Sequence, residues 1–478
     1  MPTHQPKRNP MKSLLSWLAA LGFVCGQALV AAQPNIVIIF MDDLGYGDLG
    51  SFGSKTIRTP HLDRLAQEGR RFTSFLVASS VCTPSRAALL TGCYPKRVGL
   101  HKGVLFPSST TGLNPAEHTI ADHLRQQGYA TAAFGKWHLG HHPEVLPTAN
   151  GFDRYYGIPY SNDMNHPDNK GKPPDGTAGM DALWNDPEST LTKWRTPLLE
   201  DDKIVELPVD QRTITRRCTD RALSFIADNQ KRPFFLYLPY SMPHIPLYVP
   251  DDVRDPDPQR AYINTIEHVD TELGRIFTLL RERKLADNTY VIFTSDNGPW
   301  LSFEHHGGSA GRLRAGKMST FEGGFRVPCI MWAPGRIPAG TECHALASTI
   351  DLLPTIAAII GTPLLPDRVI DGMDITALLK GTAESVRQEF LYYSRNGRID
   401  GIRKGDWKLL ETIKATRNPQ EVAPNPDVML YNLAADVAEK NNLAAERPEI
   451  VAQLRQRMHE LDAALETGAR PAWKKTGT

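Results

Sequence analysis

Asp42-Asp43, Lys136 with His138, His244 and Asp296-Asn297 each stand directly after an apolar run, and Cys82 stands four residues before Arg86. Three carboxylates and an amide are all-oxygen ligands, a set that suits a hard divalent cation, calcium or magnesium, better than zinc. Arg86, Lys136 and Lys317 supply fixed positive charge beside two histidines. Together these types describe a site for an oxyanion ester, in which the cation polarises oxygens and the basic groups hold the anion. Phosphate and sulfate esters are both open on these residues alone. Each motif by itself has an ordinary alternative: paired aspartates cap helices, Asp-Asn-Gly makes turns, and a lone histidine is commonly a satisfied polar residue.

What raises the joint case is where the runs place them. "NIVIIF" (35–40), "TAAFG" (131–135), "PFFLYLPY" (233–240), "TYVIFTSDNG" (289–298) and "VPCIMWAP" (327–334) have the short, continuous apolar pattern of buried strands. Helical patterns lie between them: Thr59-Pro60 caps "HLDRLAQEG", Asn114-Pro115 opens "AEHTIADHLRQQG", and residues 262–284 form a long amphipathic helix. The expected fold is α/β, a large, mostly parallel (mixed) sheet sandwiched by helices. In such sheets ligands bind outside the carboxyl ends of the strands, where the acids, amide, lysine and histidines stand. Residues 140–212 are rich in Gly, Pro, Asn and Asp without a sustained period, as functional loops are. "EFLYYSR", "GIRKGDWKLLET", "VMLYNL" and a helix from about 447 predict a small antiparallel sheet with a packed helix. The expected division is a leader at 1–32, a catalytic domain at 33–384 and a C-terminal α+β subdomain at 385–478.

The leader has the three parts of a secretory signal: Lys7, Arg8 and Lys12 without an acid, an apolar run from Leu14 to Val30, and a small-residue end at Ala32. Ser16, Gly22, Gly26 and Gln27 interrupt the run, and no basic stop follows, which argues against a membrane anchor. The expected location is secreted or periplasmic. Hydrophobic residues at 41% and charged ones at 22% supply a sizeable core. Removing the leader takes 54 Lys+Arg to 51 against 53 Asp+Glu, a net charge of −2, so nucleic acid is not an expected partner. Without Cys25, five cysteines remain: Cys82, Cys93, Cys218, Cys329 and Cys343. In an oxidising compartment an odd number leaves one thiol over, or one that is no longer a thiol. Cys329 and Cys343 are candidates to pair across a hairpin, and Cys93 is expected as a buried structural thiol.

"CTPSRAALLTG" (82–92) resembles the Cys-x-Pro-x-Arg signature of the type I sulfatases, whose cysteine a maturation enzyme oxidises to formylglycine (3-oxoalanine). The resemblance runs in family order through "PNIVIIFMDDLGYGDLG", "GKWHLG", "GFDRYYG", "MPHIPL", "SDNGPW" and "GKMSTFEGGFRVP" to "GDWKLL" and "LYNL…NNLA". It is closest to the arylsulfatase A and N-acetylgalactosamine-6-sulfatase branch. It implies an alkaline phosphatase-like sulfatase fold, and one calcium ion held by Asp42, Asp43, Asp296, Asn297 and the modified Cys82. It further implies that Arg86 steadies the hydrated aldehyde, that Lys136 and Lys317 grip sulfate oxygens, and that His138 and His244 handle protons. Ser161, in "PYSND", matches a substrate-site serine of the branch.

The chemistry accounts for the modification. A serine would end as a sulfate ester about as stable as the substrate. A hydrated aldehyde has two hydroxyls: one attacks sulfur, and the other, deprotonated by His138, re-forms the carbonyl and expels sulfate. His244 would protonate the leaving alkoxide, help typically worth about 10²–10⁴-fold. The implied partners are a sulfated small molecule or glycan, a galactose or N-acetylgalactosamine sulfate being favoured, and the maturation enzyme. His101, Lys102, His305, His306, Arg312 and Arg314 lie in loops that could reach a sugar. The rival readings are a hydrolase using the same aldehyde on phosphodiesters or phosphonates, and an inactive descendant that binds sulfated glycans.

Overall fold

Strand β1 (Asn35–Met41) is buried along its whole length, and its alternate side chains serve two different cores. Ile36, Ile38 and Phe40 point to one face of the sheet, Val37, Ile39 and Met41 to the other. The computed structural model describes residues 1–4, 33–165, 175–188, 194–411 and 427–476. The expected secretory leader lies outside the described residues from position 5 to 32. Pro34–Thr478 form one compact unit.

The large sheet also contains β2 (Arg70–Phe72), β3 (Ala130–Lys136), β4 (Arg154–Ile158), β5 (Leu198–Glu200), β6 (Lys203–Glu206), β7 (Phe234–Leu238), β8 (Thr289–Ser295), β9 (Cys329–Trp332) and β10 (Thr341–Cys343). Its order is β10-β2-β9-β8-β1-β7-β3-β4-β5-β6. The centre, β8-β1-β7-β3-β4, is wholly parallel. Antiparallel pairs join it to the edges, β8–β9 and β9–β2 on one side and β4–β5 and β5–β6 on the other. The expected strand at 327–334 is therefore present but runs against its neighbour.

Helices α1 (Pro60–Glu68), α2 (Cys82–Thr91), α3 (Ile120–Gln126), α4 (Gly176–Asn185), α5 (Ile214–Asp228), α6 (Ala261–Glu282) and α7 (Leu352–Ile360) cover the sheet. α2, α3 and α7 bury their apolar residues with Ile36, Ile38 and Phe40; α1, α4, α5 and α6 pack with Val37, Ile39 and Met41. α1 begins at Pro60 behind Thr59, as expected. α3 begins at Ile120 rather than at Pro115. There a Thr119–Asp122 capping box satisfies the first turn, and it outweighs the weaker Asn-Pro start signal.

The C-terminal sheet is antiparallel, in the order β11 (Glu389–Tyr393), β12 (Ile399–Lys404), β13 (Trp407–Glu411) and β14 (Val428–Asn432). Its Phe390, Tyr392, Ile402, Leu409 and Leu430 join the α2–α7 core, with Val451, Leu454 and Met458 of α8 (Pro448–Thr467). The contact is also ionic. Lys408 Nζ lies 3.0 Å from Glu322 Oε1 and 2.8 Å from Glu439 Oε1, all three side chains fully buried. Burial pushes Glu439 up to about 7 despite Lys408, whereas Lys408 and Arg326 overcome the same burial and hold Glu322 well below the carboxylate range. Lys408→Ala should leave buried Glu439 without its cation and Glu322 paired with Arg326 alone. The expected loss is about 3–5 kcal/mol of unfolding free energy, read from urea denaturation; a loss below 1 kcal/mol would mean the network is not holding the sheet.

All five cysteines among the described residues are free and buried. Cys329 and Cys343 do not pair across a hairpin, because β2 runs between their strands and both face Phe72 in register. Cys93 is buried as expected, its thiol near the Thr91 and Val369 carbonyls.

Candidate active site

The carboxyl ends of four parallel strands bring the predicted residues together. β1 delivers Asp42 and Asp43, β3 ends in Lys136 and leads to His138, β7 leads to His244, and β8 delivers Asp296 and Asn297. Gly135 permits this at β3: its φ of 140° suits glycine, and any Cβ there would strike the Pro239 carbonyl. Cys82 is the first residue of α2, and Arg86, one turn on, lies on the same face. Every residue of α2 is buried, so the small "AALLTG" run fixes both side chains against the sheet.

The charged groups interlock. Arg86 donates through Nε and Nη2 to Asp296 Oδ2 at 3.0 and 2.8 Å and lies 3.4 Å from Asp42 Oδ1. Lys136 Nζ lies 2.5 Å from Asp42 Oδ2 and donates to Ser161 Oγ at 3.0 Å. Lys317 Nζ lies 2.8 Å from Asp43 Oδ2 and 4.2 Å from the centre of the Trp300 ring. Asn297 Nδ2 donates to Asp43 Oδ1 at 2.6 Å, while its Oδ1 is buried without a partner. Cys82 Sγ stands 3.5 Å from Asp42 Oδ1. Asp42, Asp43, Cys82 and His244 place one potential ligand atom each within 4.8 Å of one another.

Burial alone would raise every acid here, and the cations decide which ones resist. Asp42 is held well below the usual carboxylate range by Lys136, Arg86 and Lys317, which overcome its burial. Asp43 stays raised, with Lys317 only partly offsetting burial and the charge of Asp42. Burial and Asp42 push Asp296 up to about 7 despite Arg86. Burial drives the Cys82 thiol well above its ordinary value, so it is no thiolate nucleophile.

Two carbonyls set the histidine tautomers. His138 Nε2 meets the Leu105 carbonyl at 2.9 Å, so it carries the hydrogen, and Nδ1 is left as a buried acceptor without a partner. His244 Nδ1 likewise donates to the Ile245 carbonyl at 2.6 Å, leaving Nε2 as an acceptor 3.6 Å from Asp43 Oδ2. Burial, with Lys136 near the first and Lys317 near the second, keeps both well below the ordinary histidine value. Both imidazoles are bases as they stand; His244 must gain a proton before it can act as an acid.

Sequence reasoning passed over two neighbours. Asp163, raised by burial against the pull of Lys317 and Lys136, takes a hydrogen bond from Ser161. Trp300 packs edge-on to His244 at 5.4 Å. The only signal for either was proximity, two residues after Ser161 and three after Asn297. Of the loop residues considered for sugar contact, Arg314 instead stacks on Phe321 at 3.8 Å and donates to Tyr431 and to the Glu439 carbonyl. His305 and His306 turn to Asp181. A groove of about 890 Å³ is lined by Arg312 and His305 but by none of the reactive residues.

Residues 34–362 match the sulfatase family profile, and residues 316–464 match the profile described as N-sulphoglucosamine sulphohydrolase, C-terminal. The chain is 38% identical to arylsulfatase A of Homo sapiens over 488 residues, covering 96% of this chain and 92% of the relative. It is 36% identical to N-acetylgalactosamine-6-sulfatase of Canis lupus familiaris, covering 83% and 74%. The solved structure of Ps i-CgsB in complex with k-i-k-neocarrahexaose superposes with a TM-score of 0.76 at 30% identity, covering 93% and 95%. No helix among the described residues is long and apolar enough to cross a membrane. With three buried acids, three buried cations and two neutral histidines gathered about Cys82, the chain belongs to the sulfatase family and is a sulfate-ester hydrolase.

Proposed function

We propose that the protein is an exported enzyme that hydrolyses a sulfate monoester on a carbohydrate, using formylglycine made from Cys82 and one calcium ion. The observation that carries this reading is the placement of Cys82 at the start of α2, 3.5 Å from Asp42, inside a ring of opposed buried charges. The residues fit a hard divalent ion. Asp42, Asp43 and Asp296 offer carboxylates, and Asn297 offers a buried oxygen with no other partner. Those three acids are balanced by Arg86, Lys136 and Lys317, so a divalent ion would leave the site with two positive charges, matching a departing sulfate dianion. When bound, the ion supplies Lewis-acid polarisation, and the aldehyde as its hydrate supplies a hydroxyl nucleophile with a route back to the carbonyl.

The remaining work falls to the chain's own side chains. Lys136 and Lys317, whose ammonium groups rest on Asp42 and Asp43, would hold two sulfate oxygens, with Ser161 beside Lys136. Arg86 would orient Asp296 and favour its ionised form against burial. His138 Nδ1 is an unoccupied acceptor, suited to take a proton at residue 82. His244 would take up a proton when the anionic substrate arrives and pass it to the leaving oxygen. Residues 385–478 would form the appended subdomain, whose Lys408–Glu322 pair braces the segment that carries Lys317.

The sulfated carbohydrate is favoured by the export signal, by the branch resemblance and by the carrahexaose complex of a similar structure. An aryl sulfate assayed beside the matching aryl phosphate should be the faster substrate in calcium. A panel of sulfated galactose and N-acetylgalactosamine should contain a sugar turned over faster still. Faster turnover of the phosphate would overturn the reading.

A further inference from the structure

Outside the reactive centre, three side chains from two distant parts of the chain meet at one point. Asp181 lies on α4, and His305 and His306 are consecutive in the 3-10 segment Leu301–His306. Both Nε2 atoms reach the same oxygen, Asp181 Oδ1, at 2.7 and 2.9 Å. One ligand atom from each residue lies within 4.8 Å of the other two. Consecutive residues of a 3-10 turn, at three per turn, ordinarily diverge by a third of a circle. Here a break at Glu304, with φ 51° and ψ −117°, precedes the pair, and the two rings lie 4.5 Å apart. Such backbone costs on the order of 1–3 kcal/mol and persists only where its surroundings enforce it.

Two imidazoles and one carboxylate are the donors of a borderline transition ion, in contrast to the all-oxygen set at Asp42, Asp43, Asp296 and Asn297. His306 is 1% exposed, while the side chains of His305 and Asp181 are 18% and 30% exposed. His305 also lines the 890 Å³ groove with Gln259, Tyr262 and Arg312, which gives an ion a route from solvent.

We propose that Asp181, His305 and His306 form a second metal site, for a zinc-class transition ion, that clips α4 to the segment following Trp300. Ligation replaces the two Nε2–H bonds to Asp181, and each ring then carries its hydrogen on Nδ1. His306 Nδ1 is buried without a partner, so that tautomer leaves one unsatisfied N–H and makes the site weaker than a structural zinc centre. Trp300, which borders His244 and Lys317, is held five residues from the clip. The site does not depend on the chemistry of residue 82.

Co²⁺ alone, titrated into the whole enzyme in excess Ca²⁺, tests the proposal. One equivalent should bind with a visible d–d absorption that Zn²⁺ abolishes by displacement. Asp181→Asn and His305→Gln, at the two part-exposed positions, should each weaken Co²⁺ by more than the roughly 10–100-fold that losing an outer-shell partner costs. Without added transition metal, both variants should keep the wild-type calcium content and aryl sulfatase rate. Absence of the band, or a band that survives both substitutions, would overturn the site. Folding failure of a buried His306 variant does not enter the test.

Discussion

Cys82→Ala should abolish sulfate-ester turnover while leaving the fold in place. The Sγ makes one long hydrogen bond, to Asp42, so removing one buried side-chain atom should cost only about 1 kcal/mol of stability. The expected loss of turnover is on the order of 10⁶-fold, the scale seen when an enzyme loses its nucleophile. The charge ring of Arg86, Lys136, Lys317 and the three aspartates remains, so sulfate should still bind. Turnover by Cys82→Ala within tenfold of wild type, measured with an aryl sulfate, would remove residue 82 from the mechanism.

Arg86→Met should destabilise the reactive centre strongly. Arg86 is fully buried, and it holds Asp296 through two hydrogen bonds with Asp42 also in reach. Methionine keeps most of the stem volume and deletes the charge. Buried Asp296 then loses its paired cation and Asp42 is left with Lys136, a change worth about 3–5 kcal/mol in protein free of metal. A calcium ion at those carboxylates would replace part of the missing charge. Excess calcium should therefore raise the melting temperature of Arg86→Met more than that of wild type; about 4 kcal/mol is available at a thousandfold excess over Kd. An equal calcium effect on both proteins would mean the ion does not sit at Asp42 and Asp296.

The centre of the sheet and most of the reactive residues were legible because one pattern encodes both. A continuous apolar run ending in a polar residue marks a buried parallel strand and also the edge where ligands bind, so Asp42, Lys136, His244 and Asp296 announced their own positions. The sheet edges were not legible. β2 is three residues, Arg-Arg-Phe, and β5 and β6 are three and four residues long, so none shows a period to recognise. Missing β2 also left Cys329 and Cys343 as candidates to pair, since a hairpin between them requires that no strand from far upstream intervene. The helix expected from Pro115 starts later because a complete capping box at Thr119 satisfies backbone groups that Asn114 does not reach. Asp163, Trp300 and the Asp181–His305–His306 cluster lie in or beside loops, where meeting in space follows from tertiary packing and leaves no mark in the spacing.

The proposed chemistry requires one covalent change at residue 82, and the tryptic peptide Phe72–Arg86 reports it directly. In protein produced with a competent maturation enzyme, mass spectrometry should find residue 82 with its sulfur exchanged for oxygen and two hydrogens lost, and an aldehyde-reactive hydrazide should label that peptide alone. An intact Cys82 thiol in protein that turns over sulfate esters would contradict the account.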